Sequence, residues 1–243
     1  MDFNVDAQQK VTFNGVISQS DPGTSQPGGI TKIDDGEFVL TGNNTFEGNI
    51  RLAGGVLTLD NANASGSAAA GAELDLFEGT LDLNGHKVDG RDIDFSPNRG
   101  GFKDSGLLVN RDISTPVTLT GNVVELGVDS NSLSFGGPGD IILTGTINDD
   151  TDTGIRKVGT GTLTIRGTNN LSSSGIDLRN GTLVLDYLNG NGDLKLGNNG
   201  LSMRGSTLRI EGSSSSAETI SLTGLNLNED NSKRGANNIE LVS

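Results

Sequence analysis

Apolar and polar residues alternate in short runs along the whole chain, and turns rich in Gly and Asn separate these runs. Each run has three to five residues with a period of two, which is typical of a strand with one face turned inward. The clearest runs are 11–13, 37–40, 50–52, 56–59, 80–83, 141–143, 162–165, 176–178, 182–185 and 207–210. Roughly twenty such runs predict an all-β chain. The one Ala-rich stretch, 62–73, is interrupted by Gly66 and Gly71, so we expect a loop or one short turn there.

One sequence pattern occurs twice, at a separation of about 125 residues. Lys32–Asn44 matches Lys157–Asn169, and 50–60 matches 176–186 after one inserted residue. The repeat predicts one continuous domain over 1–243, with tandem modules at approximately 1–130 and 131–243, of which the second is incomplete.

Short strands without crossover helices favour a coil in which parallel strands stack on one another. Aliphatic side chains would then form inward ladders, and Gly and Asn would occupy corners that need a positive φ. We therefore predict a single right-handed parallel β-helix of about ten to twelve coils, at roughly 20–25 residues per coil. A β-sandwich array or a propeller is the alternative architecture.

The amino-acid composition and the net charge of the chain argue against several classes of function. Hydrophobic residues make up 32% of the chain and aromatic residues 4%, which suits a thin repetitive core better than a compact globule. The net charge of -14 argues against nucleic-acid binding and against docking on an anionic membrane. The chain has no Cys and one His, which excludes disulfides, thiolate catalysis and multi-His metal sites. No apolar run approaches the roughly 20 residues of a spanning helix, so we expect no membrane insertion of this segment.

The repeated unit carries a recognisable motif. Lys157–Asn169 fits the pattern K-x-G-x-G-x-L-x-L-x-G-x-N, and Asn44-Thr45-Phe46-Glu47-Gly48 supplies the Asn-aromatic-Gly part in the first copy. This pattern resembles the passenger-associated, or autotransporter-associated, β-strand repeat. The first copy departs from it at Asp34-Asp35-Gly36, where the family prefers Gly-x-Gly, and the second departs at Leu171-Ser172-Ser173-Ser174.

The resemblance implies a secreted, surface-displayed right-handed β-helix, usually the passenger of a larger Gram-negative surface protein. We therefore expect a non-catalytic extracellular structural or adhesive stalk segment, with its signal and anchor outside this fragment. The expected partner is a surface ligand, either a glycan or a protein of a host or neighbouring cell, and no cofactor is expected. The alternatives are a β-helix enzyme that degrades polysaccharides and a self-assembling sheath, fibre or phage tail component with end-to-end self-association.

Two groups of residues are candidate sites. Acidic turns of surface β-rolls bind calcium through carboxylates and carbonyls, and the calcium candidates here are Asp149, Asp150 and Asp152. The loop 96–105 concentrates positive charge and an aromatic ring, so its residues Arg99, Phe102 and Lys103 are a candidate contact site. His86 and the neighbours Asp34 and Asp35 are better explained as polar corner residues than as acid–base catalysts.

Overall fold

A computed structural model describes residues 1–19, 28–88, 90–95, 106–125, 133–149, 154–167, 169–171, 175–189, 194–195, 200–212, 224–227 and 236–242. Within these ranges every regular element is a strand, and the Ala-rich stretch 62–73 forms turns before the strand that starts at Glu73. The predicted all-β class is therefore confirmed.

The described strands form three parallel sheets, and each strand between the two ends of its sheet pairs with strands of the preceding and following coils. Sheet 1 has nine strands: Asp2–Asn4 (β1), Ile30–Ile33 (β3), Ile50–Leu52 (β5), Glu73–Leu76 (β7), Asp92–Phe95 (β9), Val123–Glu125 (β12), Ile147–Asp149 (β15), Asn169–Leu171 (β18) and Leu194–Lys195 (β21). Sheet 2 has ten: Lys10–Phe13 (β2), Glu37–Leu40 (β4), Val56–Leu59 (β6), Thr80–Asp82 (β8), Leu108–Val109 (β10), Leu133–Gly136 (β13), Ile155–Lys157 (β16), Ile176–Leu178 (β19), Leu201–Met203 (β22) and Leu225–Leu227 (β24). Sheet 3 has six: Val117–Leu119 (β11), Ile141–Leu143 (β14), Thr162–Ile165 (β17), Thr182–Asp186 (β20), Thr207–Glu211 (β23) and Asn238–Val242 (β25).

This arrangement is a parallel β-solenoid, as the alternating runs predicted. The coil count is lower than the predicted ten to twelve. The prediction assumed a nearly constant coil length, whereas the paired residues Ile93 and Val123 are 30 positions apart. The right-handed sense of the coil and the module boundaries near residue 130 stay predictions.

The core consists of ladders of inward side chains that run along the stack. One ladder follows sheet 2 through all ten described strands, from β2 to β24: Val11, Phe38, Leu57, Leu81, Leu108, Phe135, Lys157, Leu178, Met203 and Leu227. Its members between the two ends are buried. Burial of these side chains is the main source of stability, because each removes a large apolar area from water.

The two copies of the repeat lie on different sheets. In the first copy the chain passes from sheet 1 (β3) to sheet 2 (β4), and in the second copy it passes from sheet 2 (β16) to sheet 3 (β17). The separation of the copies is therefore not a whole number of coils. The same local sequence therefore forms the same corner in both copies, although the two corners join different pairs of sheets.

Candidate functional site

Each copy of the repeat contains a buried lysine that closes a corner. Lys32 Nζ donates hydrogen bonds to the carbonyl oxygens of Ile33 (2.6 Å) and Asp34 (2.7 Å). In the second copy Lys157 Nζ donates to those of Val158 (2.8 Å) and Gly159 (2.9 Å). Both lysines are the inward residue of a strand, and their long side chains bend toward the two carbonyls that follow. The repeat is thus defined structurally by a lysine-capped corner.

The departure of the first copy from Gly-x-Gly leaves the corner shape unchanged. Asp34 has φ 64°, and its counterpart Gly159 has φ 75°. Asp is one of the few residues other than Gly that adopts the left-handed region readily. The following glycines also correspond, because Gly36 N donates to Val5 O and Gly161 N donates to Gly137 O, each in the preceding coil.

The Asn-aromatic-Gly part of the first copy ties several coils together. Asn44 Oδ1 accepts a hydrogen bond from Ile17 N (2.8 Å), and Asn44 Nδ2 donates to Ala64 O (2.7 Å). The buried Arg91 guanidinium lies 5.4 Å from the Phe46 ring centroid and donates to Gly48 O at 3.0 Å. Burial lowers the pKa of Arg91 to about 10, and the side chain stays charged at neutral pH.

The outward face of sheet 1 carries a polar groove. Thr31, Arg51, Asp75 and Asp94 occupy one register position on β3, β5, β7 and β9. A groove of about 550 Å³ lies over the first three of these residues and is also lined by Gly29, Asn49 and Ala72. We call it the sheet 1 groove.

Asp75 is the carboxylate of the sheet 1 groove, and other charged side chains lie close to it. Arg51 Nε lies 3.5 Å from Asp75 Oδ2, and the same guanidinium lies 5.0 Å from the Phe77 ring centroid. Burial raises the pKa of Asp75 while Arg51 opposes the rise, and Asp94 and Glu73 raise it further. Asp75 Oδ1 is buried and has no hydrogen-bond partner among the described residues. The groove therefore offers a half-exposed guanidinium to a polar ligand, beside the partly exposed carboxylate of Asp75.

Sequence reasoning missed this groove. The signal was the matching acidic-apolar pattern of Glu73-Leu74-Asp75-Leu76 and Asp92-Ile93-Asp94-Phe95. That pattern places carboxylates on one outward face of two strands, but only the register shows that the strands are neighbours.

The predicted site residues fall largely outside the described part of the chain. Asp150 and Asp152 are not described, and of Asp149 only the backbone, at the end of β15, is described. The contact-loop candidates Arg99, Phe102 and Lys103 also lie outside the described residues. Both sites therefore stay predictions. Within the described ranges no group of three or more His, Cys, Asp or Glu side chains is placed to hold a metal ion.

The other residues considered from sequence lie at corners. His86 follows β8, its backbone N donates to Leu83 O (2.7 Å), and it lines a cleft of about 350 Å³ with Ala62 and Pro116. Asp34 and Asp35 are exposed on the lysine-capped corner of the first copy. The structure does not bring His86 together with these two aspartates. Among the described residues there is no helix long and apolar enough to span a membrane.

The fold and its repeated lysine-capped corner define a parallel β-solenoid, and two of its segments match a known family of repeats. Residues 30–59 and 155–185 match the family described as the passenger-associated-transport-repeat, which confirms the resemblance found in the sequence. Each matched segment contains one lysine-capped corner. A stretch of 116 residues is 34% identical to the Adhesin BmaC autotransporter of Brucella suis biovar 1 (strain 1330), and it covers 48% of this chain but 2% of that adhesin. No solved structure matches the chain.

Proposed function

We propose that the chain is a segment of a surface-displayed autotransporter passenger and acts as a non-catalytic extracellular stalk with an adhesive face. The observation that carries this proposal is the pair of passenger repeats, each folded as a lysine-capped corner within one parallel stack. The stack needs no partner to define its shape, because each coil packs on its neighbours. Its outward faces are then available to bind a ligand.

The sheet 1 groove is the proposed contact site on this stalk. Its carboxylate at Asp75 and its guanidinium at Arg51 suit the hydroxyl groups of a glycan, which both donate and accept hydrogen bonds. A surface glycan of a host or neighbouring cell is therefore the ligand class we propose, and a protein ligand is the alternative outcome of the binding test.

Binding of the chain to a glycan array tests the contact site. The double variant Arg51→Ala with Asp75→Asn should lose binding, because it removes the two charged side chains of the groove. Arg209→Ala with Glu240→Gln is the matched control, because it also removes one ion pair and leaves the net charge unchanged, on sheet 3. Equal binding of wild type and the groove variant would show that the groove is not the contact site, and equal loss in both double variants would show that the loss is not specific to the groove.

Protease treatment of intact source cells tests the location of the protein. An antibody to this chain should lose its signal on treatment, and untreated cells should show a parent band much larger than the 25.1 kDa of the chain. A protected band near that mass would reject the surface location.

One observation favours an enzymatic alternative. Asp75 and Asp94 are carboxylates at one register position on neighbouring coils, and glycoside hydrolysis needs two carboxyl groups flanking one bond. The raised pKa of Asp75 also suits a general acid. Release of reducing ends from anionic and neutral polysaccharides, abolished by Asp75→Asn, would establish this alternative in place of the non-catalytic stalk.

A further inference from the structure

Three arginines lie close together on the outward face of sheet 2, inside the described stack. Arg156 is on β16, Arg179 directly follows β19 and Arg204 directly follows β22. The described sheet continues beyond them with β24. We call Arg156, Arg179 and Arg204 the sheet 2 arginine cluster. It concentrates positive charge in a chain whose net charge is -14.

Two members of the sheet 2 arginine cluster share one carboxylate. Asp177 is paired with Arg156 in the strand register. Asp177 Oδ2 accepts hydrogen bonds from Arg156 Nε (3.1 Å) and from Arg179 Nε (2.9 Å). Asp177 Oδ1 is buried, so the carboxylate presents little negative charge at the surface. Asp177 therefore holds the side chains of Arg156 and Arg179 in place.

Arg204 has no equivalent carboxylate beside it. The residue that takes the place of Asp177 on the next coil is Ser202. Among the described residues the Arg204 guanidinium has no ion pair, and its Nε is buried without a hydrogen-bond partner. Its two terminal nitrogens are not buried in this way, so they are free to donate to a ligand.

Arg179 and Arg204 occupy the same position on adjacent coils. They directly follow the paired residues Leu178 and Met203, and Arg204 N donates to Leu178 O. Adjacent strands lie about 4.8 Å apart, and like charges directly opposite each other destabilise a sheet. Burial lowers the pKa of Arg156, and Arg179 and Arg204 lower it further against the opposing effect of the shared carboxylate. The cluster therefore destabilises the free protein, and a bound anion would relieve the repulsion.

We propose that Arg179 and Arg204 bind the sulfate group of an acidic glycan. The three terminal oxygens of a sulfate ester can accept hydrogen bonds from two guanidinium groups at once, whereas the two oxygens of a carboxylate match one. Phosphate has the same tetrahedral oxygens, and the test below separates the two anions. The oxyanion site depends on the geometry of the cluster alone. Only its assignment to a glycan rests on the proposed function, and the site is separate from the sheet 1 groove.

Thermal unfolding of the 243-residue chain in millimolar sodium sulfate, compared with sodium chloride of equal ionic strength, tests the oxyanion site. Sulfate should raise the Tm of wild type by at least about 2 °C, and Arg204→Gln should abolish this rise. Without sulfate, Arg204→Gln should be at least as stable as wild type, because it removes a repulsion. Arg209→Gln is the matched control, since it removes the same charge from β23, where Arg209 pairs with Glu240, and it should keep the response.

Three outcomes of this experiment would overturn the proposal. An equal rise in wild type and Arg204→Gln would show only the general stabilisation that sulfate gives by exclusion from protein surfaces. No rise in wild type would reject the oxyanion site. A larger rise in sodium phosphate of equal ionic strength would reject the assignment to sulfate.

Binding to dextran sulfate and to neutral dextran, measured by surface plasmon resonance, tests the glycan. Wild type and Arg209→Gln should bind dextran sulfate alone, and Arg204→Gln should bind it at least tenfold more weakly. The groove variant Arg51→Ala with Asp75→Asn should bind it like wild type, so failure of the sheet 1 groove and failure of this site are distinguishable. A sulfate-dependent Tm without binding of dextran sulfate would overturn the assignment to a glycan, and equal binding of neutral dextran would overturn the role of sulfate.

Discussion

At the scale of the residue, the two motif lysines are charged members of otherwise apolar ladders. Lys157 follows Phe135 and precedes Leu178 in sheet 2, and it is 3% exposed. Burial lowers the pKa of Lys157 to about 8, while Asp140 raises it. A lysine is retained there because its ammonium group satisfies two corner carbonyls that would otherwise be buried without donors.

The stability of the protein should therefore depend on the titration of Lys157. Its pKa is about 8 in the folded state against an ordinary 10.5, so the unfolded chain binds more protons between these values. The free energy of unfolding should then rise with pH across this window, by up to about 3 kcal/mol. In Lys157→Met this rise should be absent. Urea unfolding of both proteins near the two ends of the window measures the difference, and equal pH dependence would contradict the assignment.

Glycines with positive φ provide a second prediction at this scale. A Cβ on Gly159 would lie 2.5 Å from Gly137 O, whereas a Cβ on Gly71 would meet nothing within 4 Å. Both have positive φ, at 75° and 78°. Gly71→Ala should thus cost only the left-handed strain, about 1–2 kcal/mol. Gly159→Ala should cost clearly more, because it also separates two coils. Thermal unfolding compares the two variants, and equal losses would show that coil contact at this corner is unimportant.

At the scale of the element, the strands were predictable and their partners were not. Ile50–Leu52, Val56–Leu59 and Thr162–Ile165 begin and end where the alternating pattern placed them, because each inward position needs an apolar side chain. The sheet that a strand joins depends on coil length, which varies. The same variation hid the Asp75–Asp94 pair from sequence reasoning, and the burial of Lys32 was hidden because a charged residue breaks the apolar pattern.

Inward and outward positions of one strand should respond differently to the same charge. Leu163 is fully buried between Ile141 and Leu183, whereas its neighbour Thr164 faces outward. Leu163→Asp should unfold the surrounding coils, because an unpaired buried carboxylate costs several kcal/mol. Thr164→Asp should change the free energy of unfolding by about 0.5 kcal/mol or less, as exposed substitutions usually do. Near-ultraviolet circular dichroism and urea unfolding measure both. A folded Leu163→Asp protein would count against the ladder.

At the scale of the whole molecule, each described strand pairs only with strands of adjacent coils, and the Arg91 side chain reaches past one coil to Gly48. Stability in such a stack is close to a sum of terms for single coils and for adjacent pairs. Parallel pairing and an apolar ladder were predictable at this scale from the spacing of the runs.

Local opening should therefore begin at the ends of the stack. Strands at the middle of sheet 2, such as β6, β8 and β10, are enclosed by coils on both sides, whereas β2 and β24 are the first and last strands described in this sheet and each pairs with one described strand. Native-state hydrogen exchange should show the slowest amides in the middle strands and progressively faster ones toward β2 and β24. Uniform protection along sheet 2 would instead indicate one cooperative unit.

The offset between the two copies of the repeat has a consequence for how such a rod could diversify. The first copy turns from sheet 1 to sheet 2, and the second turns from sheet 2 to sheet 3. A duplicated segment therefore reproduces its architecture but faces a different side of the rod. Substitutions that adapt one copy to a ligand would have no equivalent on the same side. Duplication of such a segment would make the protein longer and would place the new copy on a different side of the stack. It would not increase the number of binding sites on any one side.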